Sequence, residues 1–270
     1  MASTFVTPKA TLNADEYLVY AADNGFFGGV KAALKAGADI DFDTRHCEIS
    51  PAIMAIPPCT ALYAACVKGY VDIVRLLLRK GASMVKRTAQ CLVPLHAAAA
   101  EGWTEVVELL VQHGATVDTQ DESKNTPLMA ACGYTHVDTV RRLIELGAKP
   151  DCLADCYIAP ITPKAAKRLG KQLGTRENEE CMKLIQEAIK TKLLRCCNPR
   201  CGKPGYRKTL KLCGRCKLTR YCSRDCQIQH WSVGHKKCCG HDVYTDKGPP
   251  PFPDRVAYIA KRLLEHFVQG

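Results

Sequence analysis

The sequence predicts an all-α solenoid of stacked helix pairs, followed by a small cysteine-dense module and a C-terminal helix. Three observations predict it. Gly81-Ala82, Gly114-Ala115 and Gly147-Ala148 recur every 33 residues, and so do Thr60-Ala61-Leu62, Val93-Pro94-Leu95 and Thr126-Pro127-Leu128. A strict period in two independent motifs marks a repeat array. Nine of the seventeen cysteines fall between Arg195 and Cys239, a density that points to a core stapled by metal. Finally, Val256, Ile259, Leu263 and Phe267 fall on one stripe of a helix over Arg255 to Val268.

Residues 1–13 carry no pattern and read as a lead-in. The repeats are expected at about 14–42, 56–88, 89–121 and 122–154. The first keeps Ala21-Ala22, Gly25, Val30, Leu34 and Gly37-Ala38 but lacks the Thr-Pro-Leu start. Its Gly-Ala stands 44 residues before the next one, so about eleven residues are inserted within 43–58. That insertion holds Pro51, Pro57 and Pro58 beside Ile49, Ile53, Met54 and Ile56, and is read as a surface loop with a structural role.

Within each repeat the residue types have local causes. Pro at the first helical turn loses no hydrogen bond, a preceding Thr caps free N–H groups, and paired Ala lets a short first helix pack closely. In the second helix Val106, Val107, Leu109 and Leu110 have helical spacing, and the Gly that follows suits a left-handed C-terminal turn. Neighbouring pairs must stack to bury both faces.

These segments resemble ankyrin repeats, whose pattern runs T-P-L-H-x-A-A, then Gly, then V-V-x-L-L-L, then G-A. Val93 to Asp118 is the fullest copy. Tyr63 and Met129 stand where His is usual, and Thr135 replaces the Gly between helices, departures that predict local irregularity. Residues 155–194 read as a degenerate capping repeat. It has a start at Thr162-Pro163 and a helix over Glu177 to Leu194 with Cys181, Leu184, Ile185, Ala188 and Ile189 on its apolar face. No Gly/Ser linker follows, so the array and the module are expected to be docked. Exposed positions near helix starts and loop tips, Lys68, Tyr70, Glu101, Trp103, Tyr134 and His136, are the expected binding contacts, with the aromatics Tyr70, Trp103 and Tyr134 foremost.

In the module the order is Cys196 and Cys197, Cys201, Cys213 and Cys216, Cys222 and Cys226, His235, then Cys238 and Cys239. This supplies eight ligands for two tetrahedral Zn2+ ions, and two filled tetrahedra leave no position for water or substrate. Spacing leaves open which member of Cys196/Cys197 and of Cys238/Cys239 is the ligand. Residues 196–239 resemble a MYND-type zinc finger through Cys213-Gly-Arg-Cys216, Arg220-Tyr221-Cys222-Ser223-Arg224-Asp225-Cys226-Gln227, His230-Trp231 and Gly234-His235-Lys236-Lys237-Cys238-Cys239. The resemblance implies H-x3-C, selecting Cys239, and C-x-N-P-x-C, selecting Cys196. It also implies interleaving, with one zinc on Cys196, Cys201, Cys222 and Cys226 and the other on Cys213, Cys216, His235 and Cys239. Peptide-binding members of that family imply a groove at Gln227 and Trp231 for a proline-containing peptide, with Trp231 as a plain core residue the equal alternative. His230 and His241 read as packing or surface residues. Few apolar residues are available in the module, so metal supplies its folding energy, ~10 kcal/mol or more per structural site.

The remaining composition narrows the class. Residues 1–15 have neither a basic nor an apolar leader, and no run reaches the ~18 apolar residues of a membrane span. The expected location is intracellular, cytoplasmic and/or nuclear, where cysteines bind metal instead of forming disulfides. The eight dispersed cysteines read as packing. Net charge is +11, yet residues 191–240 hold thirteen Lys and Arg against Asp225 alone, and the rest is near neutral. Seven thiolates and two zinc ions would leave that stretch at about +9. Residues 240–270 combine a Pro-rich segment with the terminal helix, expected to dock on the domain.

The function expected is a non-enzymatic protein–protein interaction adaptor with two recognition modules. Nucleic-acid regulation through the basic module is one alternative, and targeting of a methyltransferase-type complex another. The unassigned ends are too short for a catalytic fold, and no P-loop, Rossmann glycine pattern or nucleophile elbow is present.

Overall fold

The computed structural model describes residues 12–44, 56–88, 91–150, 176–191, 193–206 and 208–241. Most of the 43–58 insertion, the Thr162-Pro163 repeat start, the Pro-rich segment and the C-terminal helix lie outside them.

Four helix pairs follow in order. They are α1 Ala14–Asp23 with α2 Phe27–Lys35, α3 Ala61–Lys68 with α4 Val71–Lys80, α5 Pro94–Ala100 with α6 Thr104–Gln112, and α7 Pro127–Gly133 with α8 Val137–Glu145. The first helices stack in one row, α1 on α3 on α5 on α7, and the second helices in another, α2 on α4 on α6 on α8. One continuous core results, running from Leu18 through Leu62, Leu77, Leu95, Leu110 and Leu128 to Leu143. Each pair is too thin to exclude water from both faces, so burial is obtained only by the stack.

Helix starts obey the capping chemistry. Thr60 Oγ1 accepts from the Tyr63 N–H and Thr126 Oγ1 from the Met129 N–H. Pro94 and Pro127 occupy first turns, where a missing N–H costs nothing. His96 accepts from the Val93 N–H through Nδ1 and donates from Nε2 to the Asn125 carbonyl, joining its repeat to the next loop. Burial pushes the His96 pKa down to about 4, which keeps the ring neutral for these bonds.

The expected irregularity at Met129 and Thr135 does not occur. Met129 Sδ lies 3.3 Å from the Thr126 N–H and takes the place of an imidazole acceptor. Thr135 adopts φ +62, the conformation that glycine takes at Gly69 and Gly102. The stacked row overrides the local preference, at a cost of about 1–2 kcal/mol for a left-handed non-glycine residue.

Helix α9, Arg176–Thr191, closes the array against α7 and α8. Cys181 and Ile185 are buried and Leu184 and Ile189 pack on the core, the expected apolar face. Arg141 binds Glu180 at 2.9 Å across this contact. The helix does not reach Leu194. It ends at Thr191, and Leu193–Arg195 becomes strand β1, paired antiparallel with β2 Pro204–Tyr206. A second ladder joins β3 Lys211–Leu212 to β4 Arg220–Tyr221. Helix α10, Arg224–His230, packs on β4; a π-type turn over Trp231–His235 and the short α11, Lys236–Cys238, complete the module.

The module is docked on the loop side of the array. Gly234 lies against the His113 carbonyl and Gly114: a Cβ on Gly114 would overlap the Gly234 backbone, and a Cβ on Gly234 would overlap the His113 carbonyl. Gly147 meets Arg195 and Cys197. Cys238 belongs to the core of the array, and Arg87 donates to the His241 carbonyl at 3.0 Å.

Candidate metal centre

Eight side chains converge in two groups. Ligand atoms of Cys196, Cys201, Cys222 and Cys226 lie within 4.8 Å of one another, and so do those of Cys213, Cys216, His235 and Cys239. These are the interleaved sets expected above.

Local structure explains each placement. Cys201 N–H donates to the Asn198 carbonyl at 2.9 Å, closing the turn through Pro199 that brings Cys201 back toward Cys196. Ser223 caps α10 by accepting from the Cys226 N–H at 3.2 Å. The cap fixes the first helical turn, and Cys222 and Cys226 then meet at 3.5 Å. Cys213 and Cys216 flank a turn closed by the Lys217 N–H on the Cys213 carbonyl at 3.0 Å. The kink at Gly234 turns the buried His235 toward that pair.

The spacings fit tetrahedral zinc. Bonds of about 2.3 Å to sulfur and 2.0–2.1 Å to nitrogen put ligand sulfurs roughly 3.8 Å apart and a sulfur and nitrogen roughly 3.5 Å apart. The observed separations are 3.6 Å for Cys201 to Cys222, 3.7 Å for Cys213 to Cys239, and 3.6 Å for Cys216 Sγ to His235 Nε2. Burial pushes the Cys196 and Cys239 thiols up, a penalty on thiolate that a bound cation reverses. At Cys226 burial also opposes the thiolate, yet hydrogen bonds led by Ser223 and Asn198 outweigh it and bring the thiol down to about 7.

A polar layer backs the second group. The Tyr221 hydroxyl lies 3.0 Å from both Thr219 Oγ1 and His230 Nδ1, and the His230 ring stacks on His235 with centroids 5.0 Å apart. Burial, then the neighbouring His235, push the His230 pKa down to about 3, so the ring is a neutral packing element. It is fully buried, and His241 is exposed.

Spacing could not tell which way the adjacent cysteine pairs point. Cys197 and Cys238, the members outside the two clusters, turn toward the array. The Cys197 N–H donates to the Arg220 carbonyl at 2.8 Å, and its thiol accepts from the Arg220 N–H at 3.3 Å. Burial, with Asp118 of the third repeat second, pushes that thiol up to about 12. Cys238 is 1% exposed, against the array core.

The other expected site residues separate. Trp231 is half-buried, its edge on the His235 ring at 6.0 Å between centroids, and Gln227 is half-buried on α10. In the array, Tyr70 packs over Gly25 and Trp103 over Gly69, and the Trp103 Nε1–H donates to the Val67 carbonyl at 2.9 Å. Both rings thus join neighbouring repeats, while Trp103 keeps 43% of its surface exposed. Tyr134 is 55% exposed and stacks on His136. Lys68 ends α3 and Glu101 caps the end of α5, beside the same loops.

Fold and site together define a helical-repeat protein with a two-centre cysteine/histidine finger. Family comparison makes the class specific. Residues 86–153 match ankyrin repeats in three copies, residues 59–89 match an ankyrin repeat, and residues 196–239 match the MYND finger. The chain is an ankyrin-repeat protein with a C-terminal MYND zinc finger. It is 49% identical over 43 residues to ubiquitin C-terminal hydrolase 15 of Oryza sativa subsp. japonica, covering 14% of this chain and 4% of that protein. It is 47% identical over 49 residues to ubiquitin carboxyl-terminal hydrolase 19 of Arabidopsis thaliana, covering 18% of this chain and 7% of that protein. The stretch shared with these curated relatives is about the length of the finger, and the chain matches under a tenth of their length. Ankyrin repeats and MYND fingers are protein-interaction domains. No described helix is long and apolar enough to cross a membrane.

Proposed function

We propose that this protein is a non-enzymatic adaptor that joins partners through its ankyrin surface and its finger. In this reading two structural zinc ions occupy the clusters, the first on Cys196, Cys201, Cys222 and Cys226 and the second on Cys213, Cys216, His235 and Cys239. The observation that carries it is the convergence of these eight side chains into two complete four-ligand sets. A set of four protein ligands leaves zinc no coordination site for water or substrate, so the metal braces a surface and performs no hydrolysis.

Peptides, including proline-containing ones, bind beside Gln227 and Trp231, and folded partners contact the array around Tyr70, Trp103 and Tyr134. The exposed parts of Trp103 and Tyr134 support the second site. Domain limits of 14–154 for the repeats and 196–239 for the finger belong to this proposal, as do a cap that ends at Thr191 and a cytoplasmic or nuclear location. The hydrolase activity of the relatives is not carried over, because the shared stretch is a small part of each of them.

A pull-down comparing the full chain with Cys222→Ala tests the reading. Partners lost by the variant belong to the finger and those retained belong to the array. An identical set with both proteins would remove the finger from the adaptor.

A further inference from the structure

The finger carries a charge that no ion pair answers among the described residues. Lys203, Lys208, Lys211, Arg215, Lys217 and Arg224 are all exposed. Ion pairs join repeat to repeat, as with Arg75 to Glu105 and Arg142 to Glu108, and α8 to α9. None involves these six bases among the described residues. Only Asp225 opposes them within residues 191–240.

Apolar surface is interleaved with this charge. At 100° per residue, Arg224, Gln227, Ile228 and Trp231 share one face of α10, opposite the buried Cys226 and His230. Ile228 is 55% exposed on that face. Strand β3 exposes both Lys211 and Leu212; Lys211 pairs with Tyr221, whose ring meets His230 of α10, so Lys211 lies on the α10 side of the ladder and Leu212 on the other. A strand in a two-stranded ladder also keeps one edge of backbone groups unpaired by the sheet.

We propose that this face of the finger, with Lys211 on β3 and Arg224 and Ile228 on α10, binds an acidic peptide segment whose carboxylates alternate with apolar side chains. The inference rests on the reading of the finger as a recognition module and adds the chemistry of its partner. Carboxylates of such a segment answer the unpaired bases, and its apolar side chains cover Ile228 and the exposed part of Trp231. A phosphate backbone satisfies the first demand and not the second. The bases also sit on separate turns, strands and a helix, unlike the continuous basic stripe of a nucleic-acid reader.

The test uses the full zinc-loaded chain and three labelled probes of equal length, followed by fluorescence anisotropy at physiological salt. One is a peptide alternating Asp or Glu with Leu or Phe, the second a neutral proline-rich peptide, the third single-stranded DNA. The acidic peptide is expected to bind tightest, with affinity falling about tenfold in Lys211→Glu/Arg224→Glu and about tenfold in Ile228→Ser. Zinc content should stay unchanged in both. If charge reversal lowers zinc content, Lys211→Gln/Arg224→Gln carries the comparison. DNA binding as tight as the acidic peptide would overturn the proposal, and so would an affinity for the peptide that neither variant moves. Failure of the acidic peptide alongside binding of the proline-rich one would end this proposal and leave the finger as a recognition module. Failure of both, with no partner lost by Cys222→Ala, would end both.

Discussion

Substituting Gly114 by alanine perturbs the docking of finger on array at its closest point. Gly114 has φ +102, so any Cβ carries the left-handed penalty of about 1 kcal/mol. The new methyl would also overlap the Gly234 backbone, and overpacking of this kind costs about 1–3 kcal/mol. Gly81, the equivalent position one repeat earlier in the stack, separates the two effects. It has φ +95 and open space where its Cβ would stand. Gly114→Ala is therefore expected to destabilise the chain by about 1–3 kcal/mol more than Gly81→Ala. The excess has a ceiling, because the overlap disappears once the finger releases, so the number measured is bounded by the docking free energy. Urea unfolding followed by helical signal supplies both values, and amide exchange around 113–116 and 233–236 should quicken in Gly114→Ala alone. Equal losses for the two variants, with no change in exchange, would refute docking through this contact.

Other expectations follow from the same geometry. Cys196→Ser and Cys239→Ser should each lose one zinc by metal analysis, whereas Cys197→Ser and Cys238→Ser should retain two; the reverse pattern would exchange the ligand assignments. Chelation should raise exchange in the finger and in residues 113–118 and 147–149 while α1 to α4 stay helical, and loss of all helical signal would mean a single cooperative unit. His96 carries a pH effect. Its folded pKa, about 4, lies below the ordinary 6.5, so the unfolded chain binds more protons between these values and stability falls as pH drops through that window. The loss reaches about 3 kcal/mol at the low end, and His96→Gln should flatten the slope between pH 6.5 and 4; an unchanged slope would place the effect elsewhere. Thr126→Ala removes the cap on α7 and should cost about 1 kcal/mol in urea melts.

Much of this fold was written in local pattern. The 33-residue period, the capping Thr, the first-turn Pro and the Gly after each second helix are short-range features whose physical causes act within a few residues, and the helices formed where they pointed. The two cysteine/histidine clusters were legible because ligand chemistry tolerates few residue types and few spacings. The end of α9 was not. Leu193 and Leu194 continue an apolar helical face in sequence, but a strand partner at Pro204–Tyr206 claims them, and only pairing distinguishes the two outcomes. Met129 and Thr135 were misread for a related reason. The stack imposes helix and left-handed turn on residues whose intrinsic preference is weaker than the neighbouring rows.

By itself the sequence determined the repeat architecture, the membership of the two four-residue clusters once the family pattern was applied, and the concentration of positive charge on the finger. Tertiary structure decided which side of each cysteine pair serves which purpose. Cys196 faces a four-residue cysteine cluster and Cys197 the array, and Cys238 and Cys239 divide in the same way. It also brought Gly234 against Gly114, residues far apart in the chain whose contact no local periodicity encodes. The physical reason is common to both. Direction and docking depend on surfaces assembled from distant segments, whereas period, capping and ligand spacing are properties of neighbours along the chain.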